Sequence, residues 1–317
     1  MKQFLIRRWF LLSLAAILVL GMGRAETLAT LPKNFPRLGV VATVLFIMSV
    51  TLDARSMWKA LAKPKAVILA VCINLGLLPL LAWAVSFLLS EDSATGLLVA
   101  ASIPSTLASA AVWTRRAGGN DAVATLVMMV TNLSCFIITP AWLFATTGSQ
   151  IQELNIEPKE MAAKLAMVVV LPIILGQIAR LIPGVGSRAT EHKIPLGILA
   201  QFGILSMVLL GAIKSGVELH RDGIKDALSI FDWFSMLGSV IGVHVTMLWT
   251  GHKLGKLIVL TRADRIAVGF SGSQKTLMVG LEVAITYFPF APILPVVSYH
   301  VCQLLFDTIV ADRLRKG

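Results

Sequence analysis

Apolar residues run along this chain in ten long stretches, each closed by polar or charged positions. They fall at Trp9–Met22, Leu38–Leu52, Ala66–Leu89, Ala94–Thr114, Ala122–Ala145, Ala162–Ile182, Ile194–Ile213, Phe231–Thr250, Ile266–Phe288 and Ala291–Val310. A helix that crosses a bilayer needs about 20 apolar residues, so each stretch predicts one crossing. The loops between them are short, and no GxxxxGK[ST] string occurs. A nucleotide-driven pump therefore has no motor in this chain. The first stretch also has the basic start, apolar middle and small-residue ending (Gly23-Arg24-Ala25) of a signal peptide, and its removal would leave nine crossings.

Two stretches break the pattern in their middles. The fourth reads Ala100-Ala101-Ser102-Ile103-Pro104-Ser105-Thr106-Leu107-Ala108-Ser109. Proline lacks an amide hydrogen and pushes the residue before it out of helical geometry. The ninth reads Gly269-Phe270-Ser271-Gly272-Ser273-Gln274-Lys275-Thr276, where glycine, serines and a charge disfavour a continuous helix. Pro104-Ser105-Thr106-Leu107 lines up with Gln274-Lys275-Thr276-Leu277 at an offset of 170 residues, and Asn74 lines up with His244 at the same offset. Five stretches followed by five, with an odd number per half, predict two inverted repeats, 1–150 and 151–317. Broken helices at mid-membrane in such repeats expose backbone groups that bind ions or anionic groups.

Composition sharpens this picture. Hydrophobic residues make up 56% of the chain and charged ones 14%, against about 25% charged in soluble domains. A soluble enzyme and a disordered chain are both excluded. The net charge of +11 belongs to loops, not to nucleic-acid binding. If the N-terminus lies inside, 19 Lys and Arg fall on the inner side and 8 outside, with Lys275 the last of the 28. That bias places both termini in the cytoplasm. Cys72, Cys135 and Cys302 lie in apolar stretches without CxxC or CxxH spacing, which supports neither disulfide nor zinc.

Lys275 is the sharpest single residue. It lies about nine residues into its stretch, roughly 14 Å of helix, where an ammonium costs around 3 kcal/mol on insertion scales. Such a residue is expected to face a cavity or an anionic substrate; a structural pair with Glu282, seven positions on and on the same helix face, or caps across the break are the alternatives. His244 and His300 are lone polar residues in apolar helices, readable as satisfied core groups or as substrate and proton contacts. His300, Gln303 and Asp307 share one face of the tenth stretch, with Asp307 near its inner end read as a solvated interface acid, or alternatively as a coupling acid. Trp9, Trp58, Trp142 and Trp233 read as interfacial anchors.

The string Gly272-Ser273-Gln274-Lys275-Thr276-Leu277 resembles the bile acid:sodium symporter family, in its divergent SBF-like branch. Arg8-Trp9-Phe10-Leu11-Leu12, Gly119-Asn120-Asp121-Ala122 and Thr139-Pro140 support the resemblance. It implies an all-α membrane protein of ten helices, with core and panel domains and two broken crossing helices. The glutamine of the classical branch in the third span falls at Asn74, its Ser-Asn at Ser109 and Ala110, and its span-nine glutamine at Gln274. Its span-five Ser and Thr fall at Ala124 and Met128, and its span-nine acid at Phe270. The acid and several oxygen ligands of the classical two-sodium site are thus replaced. Thr125, Thr131 and Asn132 lie near that site, out of register.

These readings predict a secondary transporter of a small organic anion in the lipid bilayer, coupled to sodium or protons. Its substrate and ion site is expected to draw on Asn74, Ser105, Thr106, Ser109, Asn132, His244, Ser271, Ser273, Gln274, Lys275, Thr276, Glu282 and His300. No cofactor is expected beyond a coupling sodium ion. A non-transporting membrane regulator is the alternative. An intramembrane enzyme is a third reading, and no GxSxG, HExxH or paired-aspartate motif favours it.

Overall fold

The computed structural model describes residues 2–53, 60–148, 155–221, 229–288 and 293–316, and every regular element among them is helical. The longer helices are α1 (Lys2–Gly23), α2 (Arg37–Val50), α3 (Pro64–Ser86), α4 (Glu91–Ser102), α5 (Ser109–Arg116) and α6 (Asp121–Thr146). They continue with α7 (Pro158–Leu181), α8 (Lys193–Arg221), α9 (Ile230–Leu257), α10 (Arg262–Ser273), α11 (Leu277–Tyr287) and α12 (Ile293–Lys316).

Among the described residues, six helices are long and apolar enough to cross a membrane: α3, α6, α7, α8, α9 and α12. A bent pair, Leu12–Gly23 with Ala25–Asn34 at 92°, adds a seventh. Helix α2 is apolar but only 14 residues long. The fourth and ninth stretches are broken as expected, into α4 with α5 and α10 with α11. The boundary expected between residues 150 and 151 lies in 149–154, outside the described residues, as does Trp58.

Burial runs opposite to that of a soluble protein. Asn74, Asn132, His244, Gln274, Gln303 and Asp307 have no exposed surface, while Phe87, Leu181, Ile194 and Phe234 are more than two-thirds exposed. Only an apolar solvent makes this partition favourable, since a buried polar group must find a partner and an exposed leucine needs none.

Two details of packing position the site. The first is a π-turn at Ile73–Leu77 in α3, followed by Pro79. Its backbone shift pairs the Leu78 amide with the Ile73 carbonyl, and Pro79 supplies no amide at all. The carbonyls of Asn74 and Leu75 instead accept side-chain donors, Lys275 Nζ at 2.7 Å and Trp142 Nε1 at 2.6 Å. Trp142 is therefore tied to the helix bundle by its indole, and the interfacial reading of that residue is corrected.

The second is the close approach of α9 to α10. A Cβ on Gly251 would stand 3.1 Å from the Gly269 Cα and 3.2 Å from two further backbone atoms. Backbone cannot rotate aside as a side chain can. Gly251→Ala is expected to cost about 1–3 kcal/mol, read as a lowered melting temperature of the detergent-purified protein. A wild-type melting curve would refute the tight contact.

Candidate functional site

A break in a helix leaves carbonyls without intrahelical amides, and in lipid each must be satisfied from elsewhere. The two breaks meet, and the carbonyls of both find donors on surrounding helices. In the first break, the Ser102 carbonyl accepts from Thr139 Oγ1 at 2.9 Å and that of Ile103 from Lys275 Nζ at 2.7 Å. The Pro104 carbonyl accepts from the Thr276 amide at 3.0 Å, and the Ser105 carbonyl from Asn132 Nδ2 at 2.8 Å.

In the second break, Asn74 Nδ2 lies 3.2 Å from the Ser271 and Gly272 carbonyls and 2.9 Å from that of Gln274. Ser105 Oγ also donates to the Ser271 carbonyl, at 3.1 Å. The Ser273 carbonyl accepts from Tyr299 Oη at 2.9 Å and faces His244 Nδ1 at 3.2 Å. Gln303 brackets Lys275: its Oε1 accepts the Lys275 amide and its Nε2 donates to the Lys275 carbonyl, each at 2.8 Å. His300 Nδ1 stands 2.8 Å from the same Nε2.

The strings aligned at an offset of 170 are thus in direct contact, through Thr276 and Pro104. Asn74 and His244, aligned at the same offset, both serve the second break.

Lys275 lies within the break itself. Its ammonium is held by three oxygens: the Asn74 carbonyl at 2.7 Å, Asn74 Oδ1 at 3.2 Å and the Ile103 carbonyl at 2.7 Å. The last of these belongs to the residue that caps the C-terminus of α4, where the helix dipole is negative. The charge is solvated by backbone and amide dipoles rather than by a carboxylate.

The alternative partner Glu282 stands elsewhere. It accepts from Thr286 Oγ1 at 2.7 Å, and its Oε1 lies 3.9 Å from Lys164 Nζ of α7. The seven-residue spacing misleads because Lys275 precedes α11 and does not share its helical phase.

Gln274 is the other hub. Its Oε1 accepts from Thr106 Oγ1 at 3.0 Å and Ser109 Oγ at 2.7 Å, while its Nε2 donates to Asp307 Oδ2. Asp307 Oδ1 faces His244 Nε2 at 2.9 Å. Asp307 is wholly buried, so its reading as a solvated acid is corrected. Ending the stretch at Val310, nearly two turns short of the helix end at Lys316, hid it, although its spacing from His300 and Gln303 already placed it on the same helix face.

The Ser273 carbonyl can only accept, and Asp307 faces the other ring nitrogen, so the tautomer of His244 decides to which of the two the ring donates. A continuous hydrogen-bonded path runs from His244 through Asp307 and Gln274 to Ser109, which is partly exposed.

The remaining expected residues play smaller parts. The hydroxyls of Ser271 and Ser273 bond back to Ala267 and Phe270 in their own helix. Thr276 contributes its amide, as above. Thr131 accepts the Ser105 amide at 3.3 Å, whereas Thr125 only bonds back to Asp121. Asn132 Oδ1 is buried without a partner. Thr139, Tyr299, Gln303 and Asp307 were missed as site residues. The periodic polar face of α12 is the signal that could have found three of them.

A shell of exposed apolar side chains around this buried polar centre defines an integral, multi-pass membrane protein, and paired helix breaks are a design of solute carriers. The sequence profile of the SBF-like CPA transporter family matches residues 8–316, and the chain belongs to that family. It is 22% identical over 291 residues to the rat protein named sodium/bile acid cotransporter 7, covering 87% of this chain and 82% of that one. It is 24% identical over 283 residues to YbaS of Bacillus subtilis (strain 168), covering 86% and 85%. Similarity to YfeH of Escherichia coli (strain K12) is 26% over 230 residues, 70% of this chain and 65% of that protein.

Proposed function

We propose that the protein is a secondary active transporter of a small organic anion, driven by protons and working by alternating access. The observation that carries this reading is the Lys275 ammonium in its cage of three oxygens between the two breaks. A cation coordinated by carbonyl and amide oxygens beside a helix C-terminus is the arrangement that a bound sodium ion would need. Here the chain supplies that cation itself, and Phe270 stands where the classical branch has an acid. A second cation at the same spot would meet repulsion of roughly 4 kcal/mol at 4 Å and an effective dielectric of 20.

A fixed positive charge favours an anionic substrate. Ser109, at the N-terminus of α5, is the partly exposed member of the network, and the positive end of that helix dipole adds to the attraction. The mobile charge is then the proton shared by His244 and Asp307. The arrangement fits ten crossings in two inverted repeats, 1–150 and 151–317, with core and panel domains and both termini in the cytoplasm. Transporter-family membership and the buried centre favour this reading over a non-transporting regulator or an intramembrane enzyme.

The test is flux in proteoliposomes. An inward proton gradient should drive concentrative uptake of organic anions in choline medium, with no gain from a sodium gradient. Uptake that follows a sodium gradient alone would overturn proton drive.

A further inference from the structure

A second site lies away from the breaks, on the outer surface of the bundle. Helices α9, α10 and α12 enclose a pocket of about 530 Å³. Its walls are apolar and include Trp249, Phe270 and Ile309, and Trp249 and Ile309 are each about half exposed on the surface that meets lipid. Three cationic or ionisable side chains line one end: His252, Arg265 and Arg313. His252 lies in the last two turns of α9, Arg265 in the first turn of α10 and Arg313 in the last turn of α12. All three therefore stand at the same level, near the ends of their helices.

No Asp or Glu lines the pocket among the described residues, and Lys256 and Arg262 are within electrostatic range of His252. Arg265 Nε is buried without a hydrogen-bond partner. An unpaired guanidinium donor in such a place is costly unless a ligand completes it.

We infer that this pocket binds one molecule of an anionic phospholipid. The phosphate would sit between Arg265 and Arg313, with an acyl chain along Trp249 and Ile309. The combination of parts selects this occupant. A soluble anion would leave the apolar walls unused, and a neutral lipid would leave the arginines unpaired. Basic pockets between helices at the level of the lipid headgroups are suited to anionic lipids. The reading does not depend on the transport proposal, because none of these three side chains belongs to the network around the breaks.

Trp249 reports on the site directly. Purified protein is mixed with micelles that carry phosphatidylglycerol or phosphatidylcholine with brominated acyl chains, which quench tryptophan on contact. Phosphatidylglycerol is expected to quench a component of the emission at low mole fraction, and phosphatidylcholine is not. That component should vanish in Trp249→Phe.

Each arginine near an anionic surface is worth about a fivefold gain in binding. Arg265→Gln with Arg313→Gln should therefore weaken the phosphatidylglycerol response by about 25-fold. The exposed Arg313→Gln alone should weaken it about fivefold, and it serves where the double variant fails to fold. Equal quenching by the two lipids, or unchanged quenching in Arg313→Gln, would overturn the proposal. Displacement of the lipid signal by millimolar inorganic phosphate would reassign the pocket to free anions and overturn it equally.

Discussion

Lys275→Ala is expected to abolish anion uptake while making the protein's stability sodium-dependent. Removal of the ammonium strands the Asn74 carbonyl, Asn74 Oδ1 and the Ile103 carbonyl around a vacated space. Each buried polar group left unsatisfied costs about 1–3 kcal/mol, so the variant should melt several degrees lower than the wild type. A sodium ion suits that oxygen set, and sodium chloride should raise the melting temperature where choline chloride does not. The wild type should respond to neither. Lys275→Arg keeps the charge, but its planar fork cannot converge on three oxygens at one point, and uptake should fall sharply. Normal uptake by the Ala variant would show that the lysine only holds the fold together.

Asp307→Asn should separate transport from its energy source. Asparagine preserves the geometry: its Oδ1 accepts from Gln274 Nε2, and its Nδ2 donates to a neutral His244 Nε2. The fold should therefore change by no more than about 1 kcal/mol. What disappears is the carboxyl of the proposed proton-carrying pair. Uptake driven by a proton gradient should be lost, whereas exchange of labelled for unlabelled anion across the same membrane should persist. Proton movement followed by an entrapped pH dye should fall to the level of empty liposomes. Proton-driven uptake that survives in Asp307→Asn would remove this carboxyl from the coupling step.

Much of the fold was legible because lipid imposes simple rules. The apolar stretches correspond closely to helices, and both breaks were readable from Pro104 and from the Gly272–Thr276 run. The bringing together of those breaks followed from the offset of 170. Three kinds of information were hidden. The partners of Lys275 depend on tertiary structure, and carbonyls leave no mark in a sequence, so a pair with Glu282 and caps across the break both stayed open. The freeing of the Asn74 carbonyl needs a π-turn and Pro79 together, and helical periodicity cannot reveal a register shift of one residue. Burial of Asp307 depends on how far α12 extends: the apolar stretch ended at Val310, whereas the helix runs to Lys316. That difference moves the acid from a rim to the interior.

The carbonyls of the two breaks are held by donors on α3, α6, α9 and α12, and the breaks are bonded to each other. Any sliding among these helices would strand buried carbonyls at about 1–3 kcal/mol each, so they behave as a single stiff block. The links from α7 and α8 to α11 are of another kind. Lys164 reaches Glu282 at 3.9 Å, and Lys214 reaches the carbonyls of Ile285 and Phe288 at 2.7 and 3.2 Å. Both tethers are lysines, whose four-carbon stems can swing while keeping hold of a moving partner. Relative movement of α7 and α8 against α11 would thus be met at these two points by flexible cords rather than by a rigid joint.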